Sequence, residues 1–166
     1  VNLIDVPGFQ DFAGEMAAGM AAADAIVLVV GAGGSVPVGA ELAWEMVADR
    51  HLPALIVVNK MDKENAAYEA TVDALREAFD RKPIAVAVPI GSAGDFAGYV
   101  DLVNHSAHEF EPGGRERDAA VPAAMRDEVE RAHAAPVDAA AGTDDALSEK
   151  DLGGTERSDD EVRSAQ

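Results

Sequence analysis

Four short apolar runs, at 1–4, 25–30, 55–58 and 84–90, mark the first ninety residues, and stretches with helical spacing fill the gaps between them. Runs such as Leu55-Ile-Val-Val58 lack polar alternation, which predicts strands buried on both faces of a parallel sheet. Between the first two runs, Gln10 or Asp11 starts a predicted helix that continues to Ala22. Gly14 and Gly19 weaken it by about 1 kcal/mol each relative to Ala, which suits a segment that moves. A second helix is predicted over 40–50, with Leu42, Met46 and Val47 facing inward and Pro53 marking its end. A third spans 64–80, where Tyr68, Val72, Leu75 and Phe79 form one core-facing stripe. Strand and helix thus alternate up to Ile90, a pattern that favours parallel pairing through right-handed crossovers. The fold class expected is α/β, with a mostly parallel sheet and flanking helices.

The pattern changes after residue 90. From 91 onward there are 18 acidic against 7 basic residues, with Pro and two Gly at 112–114 and few large apolar side chains. This part is expected to be largely helical and loosely packed. Pro122 suits a helix start, where a missing N–H does no harm. Pro136 falls inside the same predicted helix, and an interior proline costs about 3 kcal/mol. A kink or break is therefore predicted near Ala135. Thr143-Asp-Asp145 reads as an N-cap with an acidic first turn, and Ser158-x-x-Glu161 as a capping box. The chain divides accordingly into residues 1–90 and residues 91–166.

Composition narrows the function. With 48% hydrophobic residues among 166, the chain can build a core, but only 5% are aromatic, so aliphatic side chains must fill it. A net charge of −18 and the lack of a basic patch argue against direct nucleic-acid binding by this segment. There is no cysteine, hence no disulfide or thiolate metal site. His105 and His108 have no carboxylate or Cys partners at ligand spacing and are expected to be surface residues. No apolar run reaches the length of a membrane span and no signal peptide opens the chain, so a cytoplasmic protein without a membrane partner is expected. The chain begins at Val1, inside an apolar run, and is expected to be a piece of a longer one.

Candidate chemistry gathers at the ends of the predicted strands, where open α/β sheets bind ligands. The 55–58 run stops at Asn59-Lys60-Met61-Asp62. A carboxylate such as that of Asp62 can accept paired hydrogen bonds from the ring N–H and amino group of guanine, a donor pair that adenine lacks. Such a pair discriminates by roughly 1–3 kcal/mol. Asn59 can bridge base and loops, and the Lys60 stem can lie along a ring face. Equally, these polar residues can simply cap the next helix. Asp5-Val-Pro-Gly8 ends the first run in a similar way. Asp5 can hold a magnesium-bound water and the Gly8 N–H can approach a phosphate, or the stretch is a Pro-Gly turn. Gly31-Ala-Gly33-Gly34-Ser35 lacks the third glycine of a dinucleotide fingerprint at its proper spacing, and reads as a flexible loop.

Taken in order, Asn2-Leu-Ile-Asp-x-Pro-Gly8, Asp11-Phe12, Gly14-Glu15, Ala23-Asp24-Ala25 and Val57-Val-Asn-Lys-Met-Asp62 resemble the G domain of translational GTPases, in particular elongation factor G and its elongation-factor-G-like relatives. Pro89-Ile-Gly91, Phe96-x-Gly98 and Val100-Asp-Leu-Val103 are similar to the passage that enters that family's inserted subdomain. Thr143-Asp-Asp145, Leu147, Glu149-Lys150 and Leu152 resemble the insert's later helices. The resemblance covers nearly the whole chain. It implies a partial P-loop-NTPase-like G domain over 1–90, lacking the first strands and the phosphate loop, followed by a partial insert over 91–166. It implies GTP or GDP and Mg2+ as ligands, the ribosome as partner of the complete protein, and GTP hydrolysis coupled to translocation. Asn59, Lys60 and Asp62 would contact guanine and ribose, Asp5 would hold magnesium through water, and the Gly8 N–H would sense the γ-phosphate. Residues 9–22 would form switch II. Gly91-Ser92-Ala93 precedes the insert, so the family's pocket-closing Ser-Ala loop would lie beyond Gln166.

Departures from the family pattern qualify this. Phe9 stands where the family carries the His that positions the attacking water, and a phenyl ring neither donates nor accepts a hydrogen bond. No Gly-x-x-x-x-Gly-Lys-Ser/Thr loop occurs, so the triphosphate lacks its cradle. The strand missing between runs 1–4 and 25–30 would leave a gap in the sheet. Gly142 and Asp151 also replace residues better suited to helix and core. Three functions remain open: a GTPase acting with the ribosome, a GTP-dependent ribosome-binding or protection protein with weak turnover, and an inactive degenerate fragment.

Overall fold

The computed structural model describes residues 1–141, with side chains described as far as 139. The expected caps at Thr143-Asp-Asp145 and Ser158-x-x-Glu161, and the substitutions Gly142 and Asp151, lie outside the described residues. The chain forms two compact units. One comprises Val1–Pro83 with Ser92–Gly94, and the other, among the described residues, Ile84–Gly91 with 95–141.

In the first unit, a 3-10 turn at Gln10–Phe12 leads into α1 (Ala13–Ala21), followed by β1 (Ile26–Gly31), α2 (Val38–Arg50), β2 (Ala54–Asn59) and α3 (Tyr68–Ala78). Strands β1 and β2 pair in parallel, in register from Ile26 with Ala54 to Gly31 with Asn59. Of the expected inward residues, Val47, Val72, Leu75 and Phe79 are buried, whereas Leu42 and Met46 are partly buried and Ala43 takes the inner place in α2. Met16 and Met20 of α1 meet Ala43 and Val47 of α2, with Leu42 and Met46 beside them. Leu75 and Phe79 close on Val30 and Ala40, with Ile56, Val58 and Trp44 around them.

Two expectations for this unit are corrected. Val1–Ile4 forms no strand, and Val1, Leu3 and Ile4 are exposed. A strand exists only through a partner's hydrogen bonds, and the two-stranded sheet supplies none to this run. The other strands are buried on one face only. Ile26, Leu28 and Val30 point at the helices, whereas Val27, Val29, Leu55 and Val57 on the opposite face are exposed. Their continuous apolar character suits a sheet covered on both sides.

The second unit departs further from expectation. Strands β3 (Ala87–Ile90), β4 (Gly98–Asp101), β5 (Ser106–Phe110) and β6 (Glu116–Ala119) form an antiparallel sheet in sequence order. The 84–90 run therefore joins no parallel sheet. Among the described residues the sheets are part parallel and part antiparallel rather than mostly parallel, and the described part after residue 90 combines these strands with α-helix at Arg126–Ala141. Short connections explain this. A parallel return needs a crossover of a dozen residues or more, whereas hairpin geometry needs only a few. Between β5 and β6, Gly113 and Gly114 take positive φ, which turns the chain tightly. Packing is also closer than the acidic composition suggests. Val100, Leu102 and Ala107 are fully buried, with Val88, Val103 and Val129 nearly so.

Pro122 precedes a 3-10 turn at Ala123–Met125, after which α4 runs from Arg126 to Ala141. The break expected near Ala135 does not occur, because Pro136 lies inside the continuous helix. Its ring is completely buried, and that burial offsets part of the cost of the lost amide.

Candidate functional site

The parallel pair places Asn59 at the last position of β2, level with Gly31 at the end of β1. The chain then turns sharply, since Lys60 adopts φ 63° in the left-handed region. For a non-glycine residue this costs about 1–2 kcal/mol and must be held by its surroundings. One support is local: the Asn59 side-chain oxygen accepts the Lys60 N–H at 2.8 Å. Others come from elsewhere in the unit. The Ala32 N–H donates to the Asn59 carbonyl at 2.8 Å, and Met61 is buried, its carbonyl accepting the Ala93 N–H at 2.8 Å. Asp62 projects outward, its carboxylate two-thirds exposed and paired only loosely with the neighbouring Lys63 at 3.3 Å. An exposed carboxylate at the mouth of a strand-end loop is free to accept two donors from a flat ligand edge.

Asp5, Gly8 and Phe9 lie on the extended segment before α1, and all three are exposed. This segment is held by close approach rather than by pairing. A Cβ at Gly39 would sit 2.3 Å from the Gly8 carbonyl oxygen, and one at Gly19 would sit 2.7 Å from Val6 Cγ1. Gly19 therefore has a packing role as well as its effect on helix strength. Around Gly8 itself, nothing lies within 4 Å of where a Cβ would be.

The loop after β1 was expected to be ordinary and flexible, and here the structure differs. Gly31 faces the Lys60 stem, with Lys60 Cδ 3.9 Å from where a Cβ would be. Ala32 is buried, and its carbonyl accepts the Ala67 N–H at 2.8 Å. The Gly34 N–H donates to Thr71 Oγ1 at 2.9 Å. Dinucleotide spacing does not reveal such bonds. The one signal in the sequence is a threonine inside an otherwise apolar helical face. Ala93, expected only as part of a loop before the insert, spends its amide on the Met61 carbonyl and so braces the base loop.

His108 also differs from expectation. It is half-buried, with Nδ1 3.1 Å from Glu116 and 3.3 Å from Asp118 across the β5–β6 hairpin, though neither contact is an aligned hydrogen bond. Its Nε2 lies 3.0 Å from Ser106 Oγ, and its ring stacks on Tyr99 at 5.0 Å. The acids come from the facing strand, which linear spacing does not reveal. Among the described residues no three His, Cys, Asp or Glu side chains are arranged to hold a metal ion. No described helix is long and apolar enough to cross a membrane.

A strand-helix unit whose second strand ends in Asn-Lys-x-Asp, behind an Asp-x-x-Gly segment, defines an α/β domain of the translational-GTPase class. The chain belongs to the elongation factor Tu GTP binding domain family, whose model matches residues 1–151. It is 39% identical over 127 residues to an elongation factor G-like protein of Thermotoga maritima, a match covering 76% of this chain and 18% of the relative. A crystal structure of a Thermus thermophilus protein superposes with a TM-score of 0.84 at 34% identity, covering 97% of this chain and 24% of that one. The chain thus spans about a fifth to a quarter of the length of these relatives.

Proposed function

We propose that this chain is the base-reading part of an elongation-factor-G-like GTPase. In the complete protein, GTP binding and hydrolysis would then be coupled to ribosomal translocation in the cytoplasm. The observation that carries the reading is the exposed Asp62 carboxylate beside a braced Asn59-Lys60 turn at the end of a parallel strand. Asp62 accepts the two guanine donors, Asn59 holds the turn, and the Lys60 stem lies along the base. The first unit serves as the central part of the G domain, and the chain beyond residue 90 as part of its insert. Residues 9–22 act as switch II, held in this state by Met16 and Met20.

The groups present fit guanine better than they fit the phosphates. The open surroundings of Gly8 suit a phosphate oxygen approaching its N–H. Asp5 would take magnesium through a water, but a lone exposed carboxylate holds such an ion only together with phosphates. No phosphate loop occurs in this sequence to hold them. For this chain we expect no saturable binding of a fluorescent GTP analogue in the micromolar range. Micromolar binding abolished by Asp62→Ala would overturn that expectation.

Phe9 favours a second reading, a ribosome-binding or protection protein with weak turnover. Phe9 is 78% exposed directly after Pro7-Gly8, and its ring can position no water. In the complete protein, ribosome-stimulated turnover measured beside Phe9→His separates the two. Turnover that rises strongly with His supports binding without efficient hydrolysis, and turnover already at the level of the His variant removes that reading. The inactive-fragment reading is met if Asp62→Ala changes neither guanine preference nor turnover.

A further inference from the structure

We infer that Thr71 is the positioning residue for the Asn59–Asp62 loop, acting through the loop after β1 rather than by touching the base. The inference rests on the proposal that Asn59–Asp62 reads guanine.

Thr71 is completely inaccessible and is the one buried polar side chain among the described residues. It lies in the first turns of α3, and both functions of its hydroxyl are used. The O–H donates to the Ala67 carbonyl at 2.8 Å, and the oxygen accepts the Gly34 N–H at 2.9 Å. From Ala67 the chain of bonds continues. Its N–H donates to the Ala32 carbonyl, and the Ala32 N–H donates to the Asn59 carbonyl, both at 2.8 Å. A continuous hydrogen-bonded path therefore runs from α3 through both ends of the Ala32–Gly34 stretch to the residue that begins the base loop.

The path matters because Lys60 needs outside support. Its left-handed backbone persists only where neighbours fix it. Asn59, which supplies the local bond to the Lys60 N–H, is paired with Gly31 at the end of the ladder, and its carbonyl is held by the Ala32 N–H just beyond it. Gly34 is at φ 73° and contributes no side chain, so the Thr71 hydroxyl is what ties its backbone to the helix. Without it, the segment that supports Asn59 and lies beneath the Lys60 stem is free to shift.

The test compares Thr71→Val, which keeps the shape and removes the hydroxyl, with Thr71→Ser, which keeps the hydroxyl. Amide cross-peaks, hydrogen exchange and the preference for guanosine over adenosine 5′-monophosphate at millimolar concentration are measured on this chain. With Val, Gly34 exchange should accelerate roughly tenfold, as one lost hydrogen bond implies. The Asn59 and Lys60 cross-peaks should move and the guanine preference should fall, while amides late in α3 stay protected. Thr71→Ser should restore all three. Faster exchange at Gly34 with Asn59 and Lys60 unmoved would overturn the inference, leaving Thr71 a local helix contact. If the Val variant does not fold, Thr71→Ala, which also lacks the hydroxyl, takes its place: displaced Asn59 and Lys60 cross-peaks restored by Ser uphold the inference, and unmoved ones overturn it. If the wild type shows no guanine preference, the base-reading proposal fails, and the cross-peaks still decide whether Thr71 positions the loop.

Discussion

Two glycines at equivalent helical positions provide a direct test of how the Asp5–Gly8 segment is seated. Gly14 and Gly39 are each the second residue of their helix, α1 and α2. Replacing either with Ala relieves the same glycine penalty, worth up to about 1 kcal/mol. Their surroundings differ. Nothing lies within 4 Å of a Cβ at Gly14, whereas one at Gly39 would be 2.3 Å from the Gly8 carbonyl oxygen. A backbone carbonyl cannot swing aside as a side-chain tip can, so the overpacking should cost roughly 1–3 kcal/mol. Gly14→Ala should therefore stabilise by up to ~1 kcal/mol. After the same gain is subtracted, Gly39→Ala should lie between neutral and about 3 kcal/mol destabilising. Gly19→Ala should fall between them, because its obstacle is a methyl group of Val6. Urea unfolding followed by circular dichroism measures all three. If Gly39→Ala is as stable as Gly14→Ala, the segment carrying Asp5 and Gly8 does not pack against α2 as described.

The same geometry yields further expected outcomes. The Asp80 carboxyl is held below its ordinary value of 3.8, chiefly by the Trp44 indole N–H and then by the Arg81 amide. A depressed carboxylate stabilises the fold above its unfolded pKa and loses that contribution as pH falls through the folded one. Fluorescence of Trp44, the only tryptophan, should therefore stay level down to the ordinary carboxylate range and change below it, and Asp80→Asn should remove that step. The Tyr99 hydroxyl is pushed above 10.0 by burial and by its hydrogen bond to Glu116. Its stabilising contribution is complete below the unfolded pKa and is lost as pH rises through the folded one, and an ultraviolet titration should show Glu116→Gln lowering the midpoint. Leu75→Ala, at a site 2% exposed, should cost about 2–5 kcal/mol in urea unfolding. Pro136→Ala should raise stability, since relief of the interior-proline penalty, the missing amide bond and the ring clash together, is worth about 3 kcal/mol and the lost ring contacts about 1–2 kcal/mol; a lower melting temperature would show that the buried ring dominates.

Local order in the first unit was legible because each element there depends on its own residues. The 3.6-residue spacing of Val72, Leu75 and Phe79 and the β-branched runs at 26–31 and 54–59 place α3, β1 and β2 within a few residues of their observed ends. The motif order that marks the family is likewise written in the sequence. Pairing is not. Whether Val1–Ile4 becomes a strand depends on a neighbour, and whether 84–90 runs parallel or antiparallel depends on the strands formed at 98–119. Hydrogen-bond partners distant in sequence are equally invisible, which is why Thr71, Ala32 and the acids around His108 could not be read from spacing. By itself, then, the sequence determined most of the first unit's elements, the family and the residues proposed to face guanine. Only the tertiary structure decided what holds those residues in place, because the braces at Asn59 and Met61 are backbone bonds to segments far along the chain, and almost any residue type can supply them.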